Sequence, residues 1–196
     1  MGKLLPLYPK QGRPDELSDE ALLAACAAGD SAALAALYDR FETDVYRCLM
    51  RLTYIDQPVV DDLIQDTFMQ VFSSSADFNG DSAVRTWILG ITANLARKHA
   101  RSDARRKQRQ QVYFERLDTQ PGDPGAAAER RELLERLEDA LEELPQRQRE
   151  AFVLCDVEGI KGVEAARALD IPSGTLYRRL HRARRALREA LEGEMP

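Results

Sequence analysis

Apolar residues recur three and four apart along most of this chain, and no stretch alternates with a strand's period. Ser18 stands as an N-cap for a helix over Asp19 to Ala28. A second helix is predicted from Asp30 or Ser31 to Arg51, with Leu34, Leu37, Tyr38, Phe41 and Val45 at helical spacing. After a break at Tyr54 to Gln57, Pro58 sits where a helix's first turn tolerates proline. Val60, Leu63, Ile64, Phe68 and Val71 then form a buried stripe, which leaves Asp62, Gln65, Asp66 and Met69 on the outer side. Ser73 to Ser82 is rich in turn formers. In the pattern that follows, Val84, Trp87, Ile88, Ile91 and Leu95 face inward, while Asn94, Arg97, Lys98 and Arg101 face out.

Between Tyr113 and Ala128 the periodicity stops, and the run DTQPGDPG resists packing, so a linker is expected there. Beyond it Leu133, Leu134, Leu137, Leu141 and Leu144 mark an amphipathic helix ended by Pro145, and Arg149 to Val157 forms another. The fold class expected is all-α: two small helical domains on a flexible linker. The boundaries read as a disordered tail over 1–17, a first domain over 18–112, the linker over 113–128 and a second domain over 129–196.

Glu158 to Arg184 reads as a helix-turn-helix. Ala165, Ala166 and Leu169 give a short buried face, Asp170 to Ser173 breaks the helix, and Pro172-Ser173-Gly174-Thr175 opens the next. Its inner stripe is Leu176, Leu180, Ala183 and Leu187. Its outer side carries Tyr177, Arg178, His181, Arg182, Arg185 and Arg188. A one-sided arginine cluster suits guanine edges and phosphates, and free amides at a helix start favour phosphate. A solvated basic helix in a small bundle is the plainer alternative.

Composition narrows the function. A net charge of -5 over 196 residues is odd for a protein that simply coats nucleic acid. The signs are segregated, however: Asp15 to Asp66 is mostly acidic, whereas Arg97 to Arg109 and Arg178 to Arg188 are almost purely basic. That pattern fits a chain meeting a basic partner with one face and DNA with others. Three scattered cysteines and two histidines have no metal-ligand spacing, so no metal site or cofactor is expected, and reduced, partly buried thiols point to a cytoplasmic protein. Pro6 and Pro9 interrupt an apolar start too short for a signal or membrane segment. No catalytic constellation is readable, and an enzyme is not expected.

Three ordered motifs carry a resemblance to the extracytoplasmic-function (ECF) sigma factors of the sigma-70 family. VVDDLIQDTFMQVF resembles the family's polymerase-binding helix. FNGDSAVRTWILGITANLARKHARSDARR resembles its promoter-opening segment, and LPQRQREAFVLCDVEGIKGVEAARALDIPSGTLYRRLHRAR its minus-thirty-five reader. With the helices leading into them, the motifs span about Ser18 to Leu191.

The resemblance implies core RNA polymerase and promoter DNA as partners, with an anti-sigma factor as a further one, and neither a small-molecule substrate nor membrane insertion. It places Asp62, Gln65, Asp66 and Met69 against polymerase clamp helices. Phe78, Asn79, Gly80, Asp81 and Ser82 would capture a flipped minus-ten base, with Asn94, Arg97, Lys98 and Arg101 along the strand. Trp87, on the inner stripe, is expected to be core. Arg178, His181 and Arg182 would read minus-thirty-five bases; Tyr177 shares that helix, and Ser173, Gly174, Thr175, Arg179 and Arg185 would hold phosphates.

Departures from the family are local. Lys161-Gly162 stands where family members often have a Ser-Tyr or Ser-hydrophobic pair, Ala165 and Ala168 where they have larger aliphatics, and Tyr177 and Arg178 where a basic and a small residue are common. A sigma-like decoy that binds an anti-sigma factor without touching DNA is the alternative function, but it would be expected to lose the basic residues retained here. An ordinary repressor or activator would need an effector pocket or dimerisation helix.

Overall fold

In the computed structural model, the residues described are 17–53, 57–107, 136, 137 and 139–192. The expected linker and nearly all of the expected tail fall outside them. Four helices make the first unit: α1 (Asp19–Ala27), α2 (Ser31–Leu52), α3 (Gln57–Ser74) and α4 (Val84–Lys107), with a 3-10 turn at Ser75–Asp77 between the last two. The second unit has helical residues between 136 and 143, then α5 (Gln146–Phe152), a π turn over Val153–Val157, α6 (Gly162–Ala168) and α7 (Ser173–Glu192).

Local chemistry sets these boundaries. Ser18 Oγ accepts from the amide of Ala21 at 3.2 Å, and Asp30 Oδ1 accepts from those of Ala32 and Ala33 at 2.8 and 3.3 Å. Each cap satisfies amides that a helix start leaves bare, worth about 1 kcal/mol. Gly29, at φ 88, makes the left-handed turn between α1 and α2.

The core is the inner stripe of each helix. Leu22 and Leu23 of α1 meet Leu37, Val45, Leu49 and Leu52 of α2, Val60, Phe68 and Val71 of α3, and Val84, Ile88 and Leu89 of α4, all buried. Each such leucine or isoleucine contributes about 1.5–3 kcal/mol by leaving water. Trp87 packs at the edge of this cluster, as expected of a core residue. The stripe predicted on α7 is also realised: Leu176, Leu180, Ala183 and Leu187 are buried, as are Ala165, Ala166 and Leu169.

The two units share an apolar core. The cluster containing α1 to α4 continues into Ala151, Val153, Leu154, Ile160, Ala165, Leu169 and Leu176 of the second unit. They approach closely at Gly90: a Cβ built there would lie 2.6 Å from Ala168 Cβ and 2.7 Å from the Ala168 carbonyl oxygen. Only glycine permits that contact. Among the described residues no helix is long and apolar enough to cross a membrane.

Candidate functional site

On α3, Asp62, Gln65, Asp66 and Met69 lie one helical turn apart on a single exposed face, with Met69 64% exposed. Val60, Leu63, Ile64 and Val71 turn the helix's other face inward and fix this one outward. Two carboxylates beside an open thioether make a surface that can attract a basic partner and adapt to its apolar relief.

The loop before α4 is tied to itself. Asn79 Nδ2 donates to Asp81 Oδ2 at 2.8 Å, the Asp81 amide donates to Asn79 Oδ1 at 3.1 Å, and Gly80 takes φ 78. Asn79, Gly80 and Asp81 are exposed, with Ser82 half-buried beside them. Phe78 differs from a residue free to wrap a base: its ring meets Trp87 edge-on at 5.5 Å and joins the core. It anchors the loop, leaving Asn79 to Ser82 as the accessible part. Arg167 of α6 reaches over to donate to the Asp81 carbonyl at 3.1 Å.

The outer face of α4 departs from expectation. Lys98 and Arg101 are exposed, but Asn94 and Arg97 point into the second unit. Asn94 Nδ2 donates to the Ala168 carbonyl at 3.4 Å, Asn94 Oδ1 accepts from Arg97, and Arg97 pairs with Glu150 at 3.0 Å. Two features cause this. Gly90 lets α6 come close, and Glu150, fully buried on α5, requires a cation. Burial raises the Glu150 carboxyl above its usual range, and Arg97 opposes that rise.

On α7, Ser173, Gly174 and Thr175 form the first turn. Arg178, His181, Arg182 and Arg185 are exposed; Arg178 donates to Thr175 Oγ1 at 3.4 Å, and Arg185 pairs with Glu189 at 2.7 Å. Tyr177 is 51% exposed, and its ring lies where a Cβ on Gly162 would be, 2.8 Å from that position. Glycine at 162 and tyrosine at 177 are therefore complementary, which accounts for two of the departures noted above. Arg179 differs from expectation: it is half-buried and turns toward the first unit, where burial and then the neighbouring Arg147 lower its pKa.

Several charged residues at the junction escaped sequence reading. Glu158, whose side chain is 6% exposed, accepts from Arg51 at 2.8 Å and from Arg85 at 2.5 Å, and Arg85 also holds Asp44 at 2.7 Å. The Asp44 hydrogen bond is the main reason the Arg85 pKa is raised. Arg149 is buried, and its guanidinium donates to the carbonyls of Leu141, Glu142 and Leu144 at 2.8, 2.7 and 3.1 Å, and to that of Leu52 at 3.3 Å. It closes the end of the preceding helical residues and ties them to α2. Nothing in the sequence set Arg149 and Glu150 apart, since they continue the polar run Gln146-Arg147-Gln148.

Comparison with known proteins agrees with this layout. Residues 37–106 match the model of sigma-70 region 2, and residues 134–187 match that of sigma-70, region 4. The ECF RNA polymerase sigma-E factor of Haemophilus influenzae is 28% identical over 188 residues, covering 91% of this chain and 97% of that one. RNA polymerase sigma-H factor of Pseudomonas aeruginosa is 28% identical over 182 residues, covering 89% and 94%. Among solved structures, CnrH in complex with the cytosolic domain of CnrY aligns with a TM-score of 0.64 at 28% identity, over 90% of this chain and 99% of that one. With regions 2 and 4 matched in order across most of its described residues, the chain belongs to the sigma-70 family and is a sigma factor of the extracytoplasmic-function type.

Proposed function

We propose that this chain is a dissociable specificity subunit of bacterial RNA polymerase, working in the cytoplasm, that directs the core enzyme to promoters and helps open them. The observation that carries the reading is the ordered pair of regions: an acidic docking face on α3 in region 2 and a basic, exposed recognition helix α7 in region 4. Its work is promoter selection and not covalent chemistry. Asp62, Gln65, Asp66 and Met69 meet polymerase. Asn79 to Ser82, with Asn94, Arg97, Lys98 and Arg101, engage the minus-ten strand, and Phe78 holds that loop in place. The first turn of α7 and Arg185 take phosphates, while Arg178, His181 and Arg182 reach base edges and Tyr177 flanks them. Region 2 extends over 18–112 and region 4 over 129–196, with the linker between.

The arrangement described is a resting one. Asn94, Arg97 and Arg179 cannot serve DNA while they face the opposite unit, so promoter binding requires regions 2 and 4 to separate. An anti-sigma factor is a fitting partner, since CnrH is solved with the cytosolic domain of CnrY. With α4 already seated on α6, such a partner would wrap the closed pair instead of entering between its halves. The exposed Arg178, Arg182 and Arg185 argue against a decoy that never touches DNA.

Run-off transcription with core polymerase and a library of genomic promoter fragments tests the proposal. Initiation at a discrete subset that depends on this chain is the expected result. Tight association with an anti-sigma factor, but no transcript from any fragment, would support the decoy.

A further inference from the structure

A cleft of about 440 Å³ opens where the two units meet, between α4, α5 and the turn joining α6 to α7. Asn94, Arg97 and Arg101 line it from region 2, and Arg147, Asp170 and Arg179 from region 4. Closing the molecule therefore gathers four guanidiniums into one space. Arg97 is partly neutralised by Glu150 behind it, and Asp170 is the other carboxylate at hand, which leaves more positive than negative charge. Arg179 Nη1 is buried there without a hydrogen-bond partner. Desolvation and repulsion from Arg147 disfavour the charged form of Arg179, the condition that a bound anion would relieve. Leu169 and Ile171 add an apolar wall at one side.

We propose that this cleft is a binding site for a small phosphate-bearing polyanion, assembled only when regions 2 and 4 are closed. Guanidiniums from both units grip the phosphate chain in the forked geometry that arginine provides. The volume lies in the range of small-ligand sites. Because half of the donors belong to each region, the ligand binds the closed molecule and not the open one, so it stabilises closure by mass action. This regulation goes beyond promoter selection and can fail independently of it.

Titration calorimetry on the full chain with inorganic tripolyphosphate, and separately with a nucleoside triphosphate at matched ionic strength, tests the site. One saturable site per chain is expected. Equal affinity assigns recognition to the phosphates alone, and tighter nucleotide binding adds the Leu169 and Ile171 wall; either outcome supports the site.

Arg101→Ala with Arg147→Ala changes two exposed residues, one from each region, and should weaken binding roughly tenfold or more. Arg182→Ala with Arg185→Ala, on the outer face of α7, should leave it unchanged. In a chain loosened by Glu158→Ala, at the far side of the junction, tripolyphosphate at about 100 times its Kd should raise the closed-to-open ratio roughly hundredfold, read by spin-label distances. No saturable binding, or equal loss in the outer-face variant, overturns the site; binding that leaves the distance distribution unmoved overturns its coupling to closure.

Discussion

Replacing Gly90 with alanine should pry the two regions apart while making region 2 itself more stable. The new methyl would sit 2.6 Å from Ala168 Cβ, 2.7 Å from the Ala168 oxygen and 3.1 Å from its carbonyl carbon. Comfortable carbon contacts begin near 3.5 Å, so α4 and α6 must move apart by about 1 Å. Forcing a methyl into a packed contact costs about 1–3 kcal/mol. That cost falls only on the closed form. Alanine in a helix interior also gains about 0.8–1.0 kcal/mol over glycine, in open and closed forms alike. The closed-to-open ratio should thus drop about 5- to 150-fold, while thermal unfolding of region 2 shifts upward. Spin labels at Ala35→Cys on α2 and Ala190→Cys on α7, both exposed, with Cys155 changed to serine, would report the separation. A distance distribution identical to that of the parent, with helicity intact, would refute the claim that this contact holds the units together.

Glu158→Ala should loosen the same junction through charge. Arg85 keeps Asp44 and Arg51 returns to water, so about 1.5–3 kcal/mol of closure is lost, and a double-mutant cycle with Arg51→Ala should show coupling; additive effects would deny the pair. Asp66→Arg, on the open face of α3, should weaken core polymerase binding without loss of helicity, and unchanged affinity at moderate salt would remove that face from the interface. Because burial raises the Glu150 carboxyl, its contribution to stability is complete below the unfolded value of 4.5 and is lost as pH climbs through the higher folded value; Glu150→Gln should flatten the stability profile in that window, measured by denaturant melts across pH. Cys48 and Cys26 are buried with raised pKa values, and Cys155 is pushed up to about 11, so a thiol reagent at neutral pH should label them only slowly until the chain unfolds. Rapid labelling of the native chain would contradict this.

The helices and their inner faces were legible because burial imposes a period on the sequence. Leu176, Leu180, Ala183 and Leu187 are inward for the same reason they are spaced four, three and four apart. The caps at Ser18 and Asp30 were legible because short polar side chains there satisfy bare amides. What one region does to the other was not. Asn94 and Arg97 fall on the outer face of α4 by period alone, and that face is covered by a unit more than fifty residues away in the chain. Gly90 carried a signal that periodicity does not use, since glycine inside a buried helix usually marks close backbone approach. Tyr177 and Gly162 each looked like a departure from the family until their contact showed them to be two halves of one substitution.

The seat of α6 on α4 also sets a threshold for polymerase. Docking within one chain does not depend on how much of the protein is present, because the tether supplies a fixed effective concentration. Capture by the core enzyme depends on how much free core there is. If only a fraction of molecules is open, the apparent dissociation constant for core rises by the reciprocal of that fraction. Making more of this factor would then add open and closed molecules in constant proportion, whereas a single methyl group at position 90 would change the proportion itself. Competition with other sigma factors for core polymerase is thus adjustable at a contact made within the chain itself.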